Sequence, residues 1–156
     1  MKKIIALCTG IIFSVIASSQ PTFSKRYVFG AKHAQLIDFA PDGGIYFCCR
    51  TYNFNIMIGK ADSLGNLEWC KQIGNPQVDN NIIHSDIIVL NNGNVVLSLY
   101  SNPVSNVFNT YIISFDESGN LIFTRRFVNA TGAGKNIPNN MIVDGDDFFI
   151  TVHSFD

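Results

Sequence analysis

Charge is scarce in this chain. Only 15% of its 156 residues are Asp, Glu, Lys or Arg, and 11 basic residues against 12 acidic ones give a net charge of −1. That balance offers no basic footprint for nucleic acid or for an anionic membrane surface. Low charge beside 47% hydrophobic residues also excludes a disordered polyampholyte or an acidic tail. No Cys-x-x-Cys or His-x-x-His pair exists to seed a metal site. The Gly-x-x-x-x-Gly-Lys-Ser/Thr order of a phosphate loop is absent, because Asn136 follows Lys135 in Thr131-Gly132-Ala133-Gly134-Lys135. Helical periodicity is lacking throughout residues 20–156. The apolar run at residues 4–17 is 14 residues long, short of the ~20 a membrane span needs.

That run has a different meaning. Met1-Lys2-Lys3 supplies a positive start, and Ala17-Ser18-Ser19 puts small residues where a signal peptidase reads. This three-part layout predicts a secretory signal peptide over residues 1–19, with Gln20 first in the mature chain. A lipoprotein leader is excluded, since Cys8 sits in the middle of the run after Leu7. Removing Lys2 and Lys3 leaves 9 basic residues against 12 acidic ones, a mature charge of −3. The expected destination is the cell surface or the medium, with the periplasm open.

The mature chain repeats itself. Asp62-Ser63-Leu64-Gly65-Asn66-Leu67-Glu68-Trp69 matches Asp116-Glu117-Ser118-Gly119-Asn120-Leu121-Ile122-Phe123, an Asp-x-x-Gly-Asn-Leu-x-aromatic core. Upstream, Pro41-Asp42-Gly43-Gly44-Ile45-Tyr46-Phe47 matches Asn91-Asn92-Gly93-Asn94-Val95-Val96-Leu97, and a third copy begins near Met141-Ile142-Val143. Each copy reads as four short strands: residues 35–40, 45–52, 55–61 and 67–73, then 86–90, 95–101, 110–115 and 121–128. Asp-Gly and Gly-Asn breaks supply the positive-φ residues of tight turns, and Ile, Val, Phe and Tyr supply half-buried pleated surface. The pattern predicts an all-β fold of β-propeller-like four-stranded antiparallel blades, incomplete: repeats at about 35–74 and 85–128, and part of a third at 137–156. A β-sandwich of the same hairpins is the alternative, and it leaves the fixed spacing of the turn motif unexplained.

The Asp62–Trp69 motif, followed by Cys70-Lys71-Gln72-Ile73-Gly74, resembles the blade motif of secreted bacterial propeller repeats, common among substrates of the type IX secretion route. It is also similar to the quinoprotein-like blade, with a turn one residue shorter. The resemblance implies architecture rather than activity. A closed propeller takes ~4–8 blades, so residues 20–156 are expected to be the N-terminal part of a longer protein.

The chemistry-bearing residues favour structural roles. Asp62 and Asp116 are placed to accept N–H groups of their own turns. Two residues separate Asp from Gly here, against one in a sialidase Asp-box. Gly65, Asn66, Gly119 and Asn120 complete the turns, Leu67 and Leu121 open the last strand, and Trp69 and Phe123 are expected to pack between neighbouring sheets. Adjacent Cys48 and Cys49 point to opposite faces, and Cys70 lies two strands away at ~9.6 Å, beyond disulfide reach. All three read as small buried hydrophobes. His33, His84 and His153 fall at strand entries or ends, at positions that are not equivalent in the repeat, and the sequence names no nucleophile or carboxylate to go with them. Asp144, Asp146 and Asp147 read as a solvated turn. The second repeat is four residues longer in the loop Asn102-Pro103-Val104-Ser105-Asn106-Val107, the expected binding surface. No cofactor is implied. The expected function is an exported binding or scaffolding module for a protein or glycan ligand, with self-association through uncovered blade faces. The alternative is a propeller enzyme, a hydrolase or quinoprotein-like oxidoreductase, whose active site lies in further blades.

Overall fold

A computed structural model describes residues 31–51, 55–74, 82–101, 109–127 and 135–155. The predicted signal peptide and the 102–107 loop lie outside the described residues. Ten strands form three antiparallel sheets, with no helix among the described residues. The first sheet is β1 (Ala31–Phe39), β2 (Ile45–Thr51), β3 (Ile56–Ala61) and β4 (Leu67–Ile73), each strand beside the next. The second repeats the meander with β5 (Ile82–Val89), β6 (Val95–Ser101), β7 (Asn109–Phe115) and β8 (Leu121–Phe127). The third holds β9 (Lys135–Asp144) and β10 (Asp147–Phe155). No sheet closes on itself. Six of the eight strands assigned to the first two repeats begin within one residue of the sequence reading.

β1 and β5 are the exceptions, starting four residues upstream of the sequence reading. Register shifts explain this: Ala34 opposes Cys49 and Leu36 opposes Cys48, leaving Gln35 as an extra residue, and Ser85 is extra in β5. A bulge flips every side chain beyond it to the other face, so alternation is lost upstream. β4 and β8 share another bulge, at Glu68 and Ile122.

The sheets stack face to face. Tyr46, Cys48, Ile56 and Ile58 of the first sheet meet Ile87, Val95, Leu97 and Phe115 of the second in one buried cluster. The other face of the second sheet, with Ile88, Val96 and Ile112, packs against Met141 in a separate cluster, flanked by Val143, Phe148 and Ile150. Residues alternate between these clusters because successive strand side chains point to opposite faces.

The turns follow the sequence motif closely. In Asp62-Ser63-Leu64-Gly65-Asn66, one carboxylate oxygen of Asp62 accepts the N–H groups of Leu64 and Asn66 at 2.9 and 2.7 Å, and the other accepts the Asn66 amide at 2.7 Å. Asp116 holds Asn120 the same way, with its N–H at 2.7 Å and its amide at 3.0 Å. Those bonds lower the Asp116 carboxyl below its ordinary value, the Asn120 side chain first among the causes. Gly119 needs its positive φ of 79°, and a side chain there would meet the Trp69 ring 2.7 Å away. Asp144, Asp146 and Asp147 are all exposed, and their turn also contacts the second sheet. The Asp146 carboxylate accepts the Asn92 N–H at 2.9 Å, and the Gly145 carbonyl accepts from Asn91. The third hairpin turn is therefore tied to the second.

Candidate functional site

Hairpin turns of the first two sheets gather at one end of the stack and flank an open polar cleft of about 460 Å3. Asp42, Lys60, Glu68, Trp69, Glu117 and Ser118 line it. Lys60 lies on β3 opposite Tyr46 of β2 and Trp69 of β4, so its side chain enters the face between the sheets. The bulge at Glu68 brings that carboxylate to the same ammonium. Lys60 Nζ sits 2.5 Å from Asp42 and 3.1 Å from Glu68, with its side chain only 4% exposed. It also lies 5.8 Å from the Tyr46 ring centre.

This environment sets the protonation states. Burial pulls the Lys60 ammonium down, and hydrogen bonds to Asp42 and Glu68 more than reverse it, so its pKa is raised. The Lys60 bond, helped by the Gly44 N–H, lowers Asp42. Burial pushes the Tyr46 phenol up to about 12. At neutral pH the cleft lining thus carries fixed charge, an ionised Asp42 beside a protonated Lys60, while the Tyr46 phenol beneath it stays protonated.

Two aromatic side chains anchor the cleft to the second sheet. Tyr46 donates its hydroxyl to the Gly93 carbonyl at 2.8 Å, a fully buried bond. Trp69 donates its indole N–H to the Glu117 carbonyl at 2.8 Å. The two rings pack edge to face at 5.9 Å, and Trp69 leans on Phe115 at 6.1 Å. Trp69 and Phe123 both pack between sheets, Phe123 beside the second cluster.

The structure brings together only part of the sequence-derived set. Asp62, Gly65 and Asn66 form one turn, and Asp116, Gly119 and Asn120 another; Leu67 and Leu121 are exposed strand residues. The cysteines are free thiols. Burial raises the pKa of all three, which suits the packing role. Lys60, Asp42 and Glu68 escaped the sequence reading. The repeat carried their signal: the register places Lys60 where the second sheet has Ser114, and Tyr46 where it has Val96.

A second missed pair links the first strands. Asp38 accepts the Phe39 N–H at 2.8 Å with one oxygen and the Val89 N–H at 2.7 Å with the other. Asp86 accepts the Ile87 N–H at 2.9 Å and the Met141 N–H at 2.7 Å. Each carboxylate clips one sheet to the next. Among the described residues, no three His, Cys, Asp or Glu side chains converge on a metal position. No helix there is long and apolar enough to cross a membrane. No protein-family model matches the chain, and no curated protein does.

Proposed function

We propose that the chain is an exported β-propeller-type module with a binding or scaffolding role, working within a longer cell-surface or secreted protein. One observation supports this reading above the others. The sequence repeat coincides with two four-stranded meanders in the same strand order, stacked face to face, with a third begun in the same way. Sheets that bury both faces against their neighbours are the units of radial repeat folds. The polar cleft beside Trp69 and Lys60 is the ligand surface that the described residues offer, and its charged and hydrogen-bonding lining suits a protein or glycan partner. The leader layout of residues 1–19 in the sequence supports the export part of this reading.

Electron microscopy of the natural full-length product tests the architecture. A ring of ~4–8 such sheets is expected, and a two-layer sandwich would overturn the reading. Cell fractionation tests export: retention in the cytoplasm with residues 1–19 intact would overturn it.

A further inference from the structure

Charge is sorted along the strands. The turns β1–β2, β3–β4, β5–β6, β7–β8 and β9–β10 lie at one end of the stack, where Tyr46 and Trp69 tie the first sheet to the second and Asn91 and Asn92 tie the second to the third. With their flanking strand residues these turns comprise residues 40–46, 60–69, 90–95, 114–123 and 143–148. They hold eight of the chain's 12 acidic residues and one of its 11 basic residues, Lys60. Six of the eight, Asp42, Glu68, Glu117, Asp144, Asp146 and Asp147, are exposed. The Lys60 side chain is only 4% exposed, behind Asp42 and Glu68 at 47% and 39%. The other end is the reverse. Among the described residues, the strand ends away from these turns, 31–34, 49–51, 55–57, 70–74, 82–85, 99–101, 109–111, 124–127, 135–138 and 152–155, hold six basic residues and no acidic one. A surface that needs charge only for solubility intersperses the two signs, whereas sorted charge sets up a field that draws in one sign of partner.

We propose that the turn end is the docking face for a Lys- or Arg-bearing segment of a partner protein, with one cationic side chain seated in the cleft beside Trp69 and Glu117. The inference rests on the binding role proposed above and deepens it, choosing a protein over a glycan. Asp42, Glu68 and Glu117 line the cleft against a single ammonium, Lys60, which already faces the first two. The charge left unmet is therefore negative. A neutral glycan would leave it unmet, and an anion would be repelled. The half-buried Trp69 ring in the same lining adds an aromatic wall, which favours an ammonium or guanidinium group. Complementary charge of this kind speeds encounter and turns away like-charged partners.

Trp69 is the chain's one tryptophan and lines the cleft, so its fluorescence reports on the seat directly. The probes are hexa-arginine, hexa-glutamate and maltohexaose. Hexa-arginine is expected to change Trp69 emission in a saturable way, with affinity falling about tenfold between ~0.05 and ~0.3 M salt. Hexa-glutamate and maltohexaose are expected to leave the emission unchanged. Glu117→Lys reverses one exposed charge at the cleft and should weaken hexa-arginine binding about tenfold. Glu117→Gln should weaken it less, and it repeats the test should the lysine disturb the turn. Arg125→Gln, at the other end, should leave binding unchanged. Circular dichroism checks that each variant keeps its sheets. No response to hexa-arginine overturns the proposal, and so does binding that the Glu117 variants leave as it is in the wild type. A response to maltohexaose alone also overturns it and leaves a binding role standing. A two-layer sandwich seen by microscopy would remove the propeller reading without touching this docking face.

Discussion

The two interfaces inside the chain solve the same packing problem with different chemistry. Between the first and second sheets, Tyr46 and Trp69 reach across and hydrogen-bond to two turns, and Lys60 with its two carboxylates occupies the outer margin. Between the second and third, the corresponding Val96, Phe123 and Ser114 bring no ion pair. The linkage there runs through backbone and small hydroxyls: the Ser85 hydroxyl towards the Pro138 and Asn139 carbonyls, and Thr110 to the Asn136 carbonyl at 2.5 Å. One scaffold thus tolerates a polar, aromatic margin at one junction and a plain one at the next. The plain junction shows that two sheets of this repeat can stack without such a polar cluster.

The largest predicted contrast concerns that aromatic latch. Tyr46→Ala removes a fully buried ring and should cost ~3–5 kcal/mol, whereas Val96→Ala at the matching position should cost ~2 kcal/mol. Urea unfolding measures both, and equal losses would break the comparison. Next come two glycines of similar backbone. Gly145→Ala meets nothing within 4 Å, so only the left-handed conformation counts against it, ~1 kcal/mol. Gly119→Ala adds a collision with the Trp69 ring and should lose at least twice as much.

The aspartate clips provide a control in which the junctions should agree. Asp38→Asn and Asp86→Asn each replace a double acceptor with an amide whose NH2 faces a donor. Each should cost ~1–2 kcal/mol, because a charge-assisted bond is lost in a half-buried setting. A large difference between them would show that the clips are not equivalent.

The remaining contrasts are those of pH. Asp42 has a folded pKa below 3.8, so the unfolded chain binds the proton first as acid is added. Its contribution is complete above about pH 3.8 and declines as pH falls through the folded value. Asp42→Asn should flatten the acid limb of a stability profile. Tyr46 is raised from 10.0 to about 12, so the folded protein keeps its proton longer. Its contribution is complete below pH 10 and is lost as pH rises from 10 to 12. Tyr46→Phe should remove that alkaline loss, and an unchanged slope would show that another group governs it.

Much of this architecture is legible in the sequence, and for a physical reason. Asp-x-x-Gly-Asn needs only local hydrogen bonds and one positive φ, so a turn identifies itself without its surroundings. Strands bounded by such turns inherit their limits. Where a bulge intervenes, as at Gln35 and Ser85, alternation breaks and the strand start is hidden. Long-range bonds are hidden for another reason. Nothing near Asp38 announces a partner 51 residues away, and nothing near the exposed Asp146 announces its bond from the Asn92 N–H. Lys60 is an intermediate case, because the comparison of repeats sets it against Ser114 and marks the odd position.

The clips at Asp38 and Asp86 have another consequence. β5 and β9 lie at the margins of their sheets, where free N–H groups invite strands from other molecules. At Val89 and Met141 the carboxylate of the preceding sheet already holds that donor. In β5 the bulge at Ser85 further spoils the flat template that an incoming strand would need. The contact that joins neighbouring sheets therefore also occupies an edge donor of the following sheet, so the same carboxylate serves as a sheet-to-sheet link and as a block to edge pairing.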